Sequence, residues 1–198
     1  AYYGRGYSYL KIGNTDKAIG DFKTVIEKFP ENVDILVDAN FRLGDCYFSR
    51  KEFKKAIKYY RVVSRTSKVP EDKVLSRYRI AQCFYRLEDY QSVISECSSI
   101  LSTAPNSDYA DDAQFLSARA YFSWGKFLKA VDEFKKLEAD FPQSEFLDDS
   151  YYGIGDSFYN LGRYQEAIDS YQKILESFPE SELVGDAING IFYCYRQM

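Results

Sequence analysis

Side chains that could do acid–base, nucleophilic or metal chemistry are few in this sequence of 198 residues. Histidine is absent, which removes the commonest general base and metal ligand and the usual activator of a serine or cysteine nucleophile. The adjacent acids Asp111-Asp112 and Asp148-Asp149 point to different sides of a helix, so neither pair can share a proton or chelate one ion. We interpret them as solvated charges in the first turn of a helix. The sequence therefore predicts a protein that is not an enzyme and that has no metal site and no cofactor.

The four cysteines fit a packing role better than a chemical one. Cys46, Cys83 and Cys194 occupy equivalent positions of an internal repeat, where the other copies have serine or alanine. Buried cysteine behaves as a small hydrophobe, and residues one repeat apart are too distant for a disulfide. Only Cys83 and Cys97 belong to the same copy and could meet. We interpret all four as reduced core thiols, which favours a reducing compartment.

Aromatic residues carry the clearest functional signal, with 19 Tyr and 15 Phe in the chain. They recur at two positions seven residues apart, which share one face of a helix, and the position between them is mostly polar. A face of aromatic, polar, aromatic residues differs from a plain core stripe. The predicted partner-binding residues on this face are Tyr3, Phe41, Phe48, Tyr78, Tyr85, Phe115, Phe122, Tyr152 and Tyr159. Alternatively, these rings pack laterally between the first helices of adjacent copies and only stiffen the array.

These positions belong to a repeat of 37 or 38 residues that aligns without gaps on one small residue. The small residue is followed four positions later by an aromatic residue in four of five copies, and it is preceded by a glycine or alanine twelve positions earlier. The aligned small residues are Ala18, Ala56, Val93, Ala130 and Ala167. Small residues let two helices approach closely, and a neighbouring ring fills the remaining space. Each copy is thus predicted to be a hairpin of two helices.

The predicted hairpins span 1–30, 33–68, 71–105, 107–142 and 144–179, and a final helix spans 181–198. Prolines end the second helices, because proline lacks an N–H donor. In the second copy the proline is displaced to Pro70, so its second helix is expected to be about half a turn longer. Ser107, Ser144 and Ser181 are expected to cap the first helices of the later copies. The array is predicted to be a single domain over 1–198, cut from a longer chain.

Gly155, Phe158, Ala167, Tyr171 and Pro179 match the pattern of the tetratricopeptide repeat, and the whole chain resembles that family. The resemblance implies an all-α, right-handed superhelical solenoid of antiparallel helix hairpins whose first helices line a concave groove. The spacer between hairpins, as in residues 141–150, is similar to that of bacterial cell-envelope members, namely outer-membrane assembly lipoproteins and Tol-Pal coordinators. This likeness implies the periplasm or the outer-membrane periphery, whereas reduced cysteines would place the chain in the cytoplasm.

The net charge of −4 and the pI of about 5.1 argue against nucleic-acid binding, which requires a clustered basic surface. The longest apolar run, residues 191–195, is too short to span a membrane. Family members that clamp C-terminal carboxylates use lysine and asparagine in the groove, but Asp45 and Asp156 lie on this face. We therefore expect a non-catalytic module that binds a partner peptide or protein in an aromatic-lined groove. The alternative is an architectural spacer or assembly scaffold in a bacterial envelope or multi-domain protein. End-to-end self-association through 181–198 is also expected.

Overall fold

The computed structural model describes all 198 residues and contains eleven α-helices and no strands. The helices are α1 (Tyr2–Lys11), α2 (Thr15–Lys28), α3 (Val33–Ser49), α4 (Phe53–Thr66), α5 (Pro70–Arg86), α6 (Tyr90–Thr103), α7 (Ala110–Ser123), α8 (Phe127–Asp140), α9 (Leu147–Asn160), α10 (Tyr164–Ser177) and α11 (Val184–Gln197). They form two compact units, residues 1–96 and 97–198, here named the N-terminal and C-terminal units. None of the helices combines the length and the apolar character that crossing a membrane requires. The predicted all-helical repeat fold is confirmed.

In the N-terminal unit, each helix packs on the next one along the chain from α1 to α5. Ala18 and Ala56, the aligned small residues of α2 and α4, are completely buried. Four residues further on, the rings of Phe22 and Tyr60 are completely buried as well. The repeated small and aromatic residues therefore form the centre of each hairpin, as the sequence predicts.

In the C-terminal unit, the helices from α7 to α11 also pack sequentially, and α9 contacts both α7 and α11. The first helices of successive hairpins are therefore neighbours in one layer. Ala130 and Ala167 are completely buried, with the rings of Phe134 and Tyr171 beside them. Ala187 and Cys194 bury one side of α11 against this core.

The turn between the two helices of every hairpin contains one residue in the left-handed backbone region. Three of these residues are glycines, as expected where φ is positive. The five residues are Gly13 (φ 75°), Lys51 (φ 60°), Glu88 (φ 59°), Gly125 (φ 73°) and Gly162 (φ 71°). A side chain at Lys51 or Glu88 is accommodated in this region with strain.

Pro70 has a different role from the one predicted. It is the first residue of α5, a position where the missing N–H costs nothing because no helical acceptor precedes it. The preceding helix α4 has 14 residues, like α2, α8 and α10, so the expected lengthening of α4 is wrong.

The predicted caps at Ser107, Ser144 and Ser181 are also wrong. Helices α7, α9 and α11 begin three residues later, so the final helix is Val184–Gln197 instead of 181–198. The hydroxyl oxygens of Ser144 and Ser181 accept hydrogen bonds from backbone N–H groups two residues ahead, at 3.3 and 3.1 Å. These serines therefore stabilise a turn that leads into the helix, because a short polar side chain can satisfy nearby backbone groups in a non-helical conformation.

Candidate functional site

The first of the two predicted aromatic positions packs against the core ring of its own hairpin. Tyr152 on α9 lies 5.6 Å from Tyr171 on α10, measured between ring centres. The other contacts of this kind are Tyr3–Phe22 (5.9 Å), Phe41–Tyr60 (5.4 Å) and Phe115–Phe134 (5.9 Å). Tyr78, the fifth residue at this position, is half-buried too. In these four pairs the ring joins the first helix to the second helix of the same copy.

The second predicted position packs near the turn, on a ring at the beginning of the second helix. These contacts are Phe48–Phe53 (5.5 Å), Tyr85–Tyr90 (6.0 Å), Phe122–Phe127 (5.4 Å) and Tyr159–Tyr164 (5.6 Å). All four are edge-to-face contacts, the arrangement that the ring quadrupole favours. The rings at the beginning of the second helix recur at intervals of 37 residues, so the same alignment contains the signal for these contacts.

All nine predicted binding residues are half-buried, whereas the core rings they contact, such as Tyr60 and Tyr171, are almost fully buried. The face residues thus keep one edge toward solvent. A contact between repeats occurs at Phe115, whose ring stacks on Phe146 of the next copy at 4.7 Å. Tyr3, Phe41 and Tyr152 pair with rings of their own hairpins. Packing between adjacent copies, the alternative role of these rings, thus occurs at Phe115.

Two aspartates on this face accept hydrogen bonds from the core tyrosines. The hydroxyl of Tyr60 donates a hydrogen bond of 2.7 Å to Asp45, and the hydroxyl of Tyr171 donates one of 2.6 Å to Asp156. Burial raises the pKa of Asp156, the hydrogen bond from Tyr171 opposes this rise, and the charge of Asp186 adds to it. Burial also raises the pKa of Asp45. The spacing along the first helix predicts that these acids lie on the face, whereas their tyrosine partners come from the second helix and are not evident from that spacing.

Glycines allow the core rings to reach these aspartates. A Cβ atom at Gly44 would lie 2.4 Å from the ring of Tyr60, and one at Gly155 would lie 2.4 Å from the ring of Tyr171. The opposite side of the Tyr171 ring is bounded by Gly190 of α11, where a Cβ atom would lie 2.7 Å away. The ring of Tyr171 is therefore held between two helices at positions where only glycine fits without a shift.

A cavity of about 300 Å³ lies beside Phe41 in the N-terminal unit. Its walls combine acidic, basic and apolar side chains, namely Asp34, Val37, Asp38, Phe41, Arg42, Val63, Ser67, Lys68, Val69, Asp72 and Leu75. Burial raises the pKa of Asp38. The positive charge of Arg42 opposes this rise, and the negative charge of Asp72 adds to it. The guanidinium of Arg42 lies 5.7 Å from the ring centre of Tyr7 and 5.8 Å from that of Phe41.

In the C-terminal unit, carboxylates of α9 lie near one another and near Arg119 of α7. Burial raises the pKa of Asp149, with a further contribution from Asp148 and an opposing one from Arg119. The guanidinium of Arg119 lies 5.7 Å from the ring centre of Phe115. No group of three or more cysteine, aspartate or glutamate side chains is arranged to hold a metal ion.

The first acid of each pair contributes to the contact between repeats. Ser144 donates a hydrogen bond of 2.8 Å to Asp111, and Ser181 donates one of 2.5 Å to Asp148. Both bonds join residues 33 apart, from the spacer of one copy to the first helix of the copy before it. The interpretation of Asp111 and Asp148 as merely solvated charges is therefore wrong.

The cysteines are free and completely buried, in agreement with the core interpretation. Burial raises the pKa of Cys46 to about 11 and that of Cys83 to about 12. At neutral pH these thiols are protonated, which removes the nucleophilic form.

Comparison with known proteins agrees with the helical-repeat fold. Tetratricopeptide repeat models match residues 3–70, 112–144 and 149–181, which together exceed half of the chain. Among curated proteins, no sequence matches significantly.

Several solved structures share the fold. A crystal structure of MamA is 21% identical, with a TM-score of 0.71 over 88% of this chain and 95% of that one. A tetratricopeptide repeat protein from Parabacteroides merdae is 14% identical, with a TM-score of 0.75 over 100% and 72% of the two chains. The apo form of RapI is 16% identical, with a TM-score of 0.79 over 91% of this chain and 55% of that one. At these low identities, the structural similarity shows a common helical-repeat fold only.

The aligned small residues, the buried rings and the matches over more than half of the sequence lead to one conclusion: the chain belongs to the tetratricopeptide repeat family, which is in general a non-catalytic protein-interaction fold.

Proposed function

We propose that the aromatic face of the first helices binds an extended or helical segment of a protein partner. The observation that carries this proposal is the difference in burial between two sets of rings. The core rings of Tyr60 and Tyr171 are 0% and 2% exposed, whereas all nine rings of the face keep a solvent-exposed edge. Rings fixed by neighbouring rings lose little entropy when a partner covers that edge, so they are good recognition residues.

The charges on this face favour one kind of segment. In the C-terminal unit, Asp149 and Asp156 have raised pKa values because burial disfavours their charged forms. A basic side chain from a partner would stabilise those carboxylates and could lie against the aromatic edges at the same time. A free carboxylate would instead meet like charges. The proposed partner segment is therefore basic, unlike the C-terminal acids clamped by other members of the family.

A peptide selection tests the proposal. Peptides selected from a displayed random library on the wild-type chain are expected to be basic and to lose about tenfold or more in affinity for the double variant Phe122→Ala, Tyr159→Ala. These rings contact residues near the turns and pack against the core without being among its buried residues. Phe141→Ala, which removes a half-buried ring at the end of α8, is the matched control and is expected to bind normally. Selected peptides that bind the double variant as tightly as wild type would contradict the proposal.

A second candidate is an assembly scaffold, such as one in a bacterial envelope or multi-domain protein. The observation that favours it is the exposure of large apolar side chains on α11, including Phe192 at 57% and Tyr195 at 59%. Such a patch is typical of interaction sites. In this candidate the chain makes its contacts through the helix α11, and the aromatic face only stabilises the hairpins. The double variant would then assemble normally.

A further inference from the structure

The outward side of α4 carries four exposed basic side chains in a line, here named the basic row: Lys54, Lys58, Arg61 and Arg65. They are spaced by four, three and four residues, so at 3.6 residues per turn they lie within about 60° of one another around the helix. The row is about 17 Å long, from the rise of about 1.5 Å per residue. All four residues line an open groove of about 430 Å³ along the helix.

The charges of the basic row are not compensated within the chain. None of its four residues forms an ion pair, whereas Lys55, on a different side of α4, pairs with Glu52. Residues 51–68 have seven basic side chains and one acidic side chain, in a chain whose net charge is −4. Like charges three and four residues apart on a helix repel one another, so the row lowers the stability of α4.

The second helices of the other four copies do without such a row. At the equivalent positions they have mostly acidic, small or neutral polar residues, and none has more than one basic residue. These residues are Asp16, Gly20, Lys23 and Glu27 in α2, Gln91, Ser95, Ser98 and Ser102 in α6, Leu128, Asp132, Lys135 and Ala139 in α8, and Gln165, Asp169, Gln172 and Glu176 in α10. The packing of the repeat therefore does not require basic residues there.

The surroundings of the basic row favour a narrow ligand. Helix α2 lies beside α4, because the charge of Lys23 on α2 interacts with Tyr59 on α4. A bilayer or a nucleic-acid duplex is wider than one helix and would also cover α2, where Asp16 and Glu27 are exposed and would face its phosphates. Single-stranded nucleic acid binds through aromatic side chains on which its bases stack, and the spacing of the residues in α4 places none of its aromatic side chains on this side.

We propose that the basic row binds an acidic helix of a partner protein, which lies along α4 with its carboxylates spaced by four, three and four residues. A partner helix of this kind is no wider than α4 itself and brings a negative charge to each member of the row. Exposed ion pairs contribute little individually and are screened by salt, so binding is weak at physiological ionic strength and stronger at low salt. This site goes beyond the proposed peptide site on the first helices and does not depend on it.

Fluorescence anisotropy with two labelled, alanine-rich helical peptides tests this proposal. The matched peptide has glutamates spaced by four, three and four residues, and the scrambled peptide has the same composition with its glutamates distributed around the helix. At low salt the wild-type chain is expected to bind the matched peptide about tenfold more tightly than the scrambled one, and added salt should weaken this binding. Equal affinity for the two peptides overturns the proposal.

A double charge reversal in the chain tests the basic row itself. Lys58→Glu, Arg61→Glu is expected to lose about tenfold or more in affinity for the matched peptide. The variant is expected to fold, because the new carboxylates lie four residues from Lys54 and from Arg65 and can pair with them. A double variant that binds the matched peptide like wild type overturns the proposal.

The control variant and two other polyanions separate the row from general charge effects. Lys17→Glu, Lys73→Glu makes the same change in net charge at exposed positions of α2 and α5 and is expected to bind the matched peptide like wild type. Polyuridine and vesicles that contain phosphatidylserine are expected to bind the wild-type chain more weakly than the matched peptide does. Loss of peptide binding in the control variant, or tighter binding of either polyanion through the row, overturns the assignment to an acidic helix.

Discussion

The close approach of α9 and α10 predicts that Gly155→Ala destabilises the C-terminal unit. The added Cβ would lie 2.4, 2.7 and 2.8 Å from three atoms of the Tyr171 ring, distances that require the ring to move. Movement away from α9 is restricted by α11, where the Cβ position of Gly190 is 2.7 Å from the other side of the same ring. Any shift also displaces the hydroxyl of Tyr171 from Asp156, its acceptor at 2.6 Å.

The magnitude follows from three terms. Alanine has a higher helix propensity than glycine, which contributes about 1 kcal/mol of stabilisation. Overpacking of a filled core costs about 1–3 kcal/mol. Loss of a hydrogen bond to a charged group costs about 1.5–3 kcal/mol. The expected result is a loss of about 1.5–5 kcal/mol in the free energy of unfolding, combining these three ranges.

Urea unfolding followed by tryptophan fluorescence measures this loss, because the single tryptophan, Trp124, lies in the same unit. The matched control is Gly185→Ala in α11, where no atom lies within 4 Å of the added Cβ. The free energy of unfolding of that variant should be unchanged or higher by up to about 1 kcal/mol, because alanine has the higher helix propensity. In Tyr171→Leu protein, Gly155→Ala should cost much less, because the ring has been removed. Equal effects of Gly155→Ala and Gly185→Ala would refute the reasoning.

Three further predictions concern backbone strain, pH and thiol reactivity. In urea unfolding, Glu88→Gly should raise the free energy of unfolding by about 0.5–1 kcal/mol, and Gly162→Ala should lower it by about 1 kcal/mol. The reason is that both residues have a left-handed backbone conformation, which glycine adopts without strain. Changes of the opposite sign would contradict this prediction. Asp156→Asn should have a larger free energy of unfolding than wild type at pH 7, because the raised pKa of Asp156 means that folding disfavours its charged form. The difference in free energy between variant and wild type should shrink as pH falls through this pKa to below 3.8, where the wild-type carboxyl is neutral in the folded and the unfolded chain. A difference that grows on acidification would count against this prediction. Cys46 and Cys83 should react slowly with a thiol reagent in native protein even at pH 9 and rapidly in denaturant, and fast native reaction would show that they are accessible.

The hairpins could be predicted from the sequence because each one repeats a local packing rule. A small residue such as Ala167, a ring four residues later and a turn at Gly162 recur at a fixed spacing, and these contacts lie within one copy. Local regularities of this kind are visible in a single sequence. The helix boundaries at Pro70 and Ser144 were misjudged because both residues fit a helix end as well as the approach to a helix.

The repeat spacing predicts which aromatic residues share a face of the first helices, but it does not predict how their rings pack. The two repeated aromatic positions of the first helices hold Tyr or Phe, and such side chains occur both on surfaces and in cores. Their spacing in the sequence does not show which of the two environments they occupy. The bond from Tyr171 to Asp156 depends on how deeply the ring enters between Gly155 and Gly190. Such depth is a property of tertiary packing, which the spacing of residues along one helix does not determine.

The hydrogen bonds between repeats have a consequence for how an array of this kind can change in length. Asp111 accepts from Ser144, and Asp148 accepts from Ser181, so a segment of 37 residues contains one acceptor for the copy after it and one donor for the copy before it. Tandem duplication of that segment adds a donor and an acceptor together, and deletion removes both. The part of the array from Ser144 onward can therefore gain or lose such a segment in one genetic event without leaving the serine or the aspartate unpaired at the new junction.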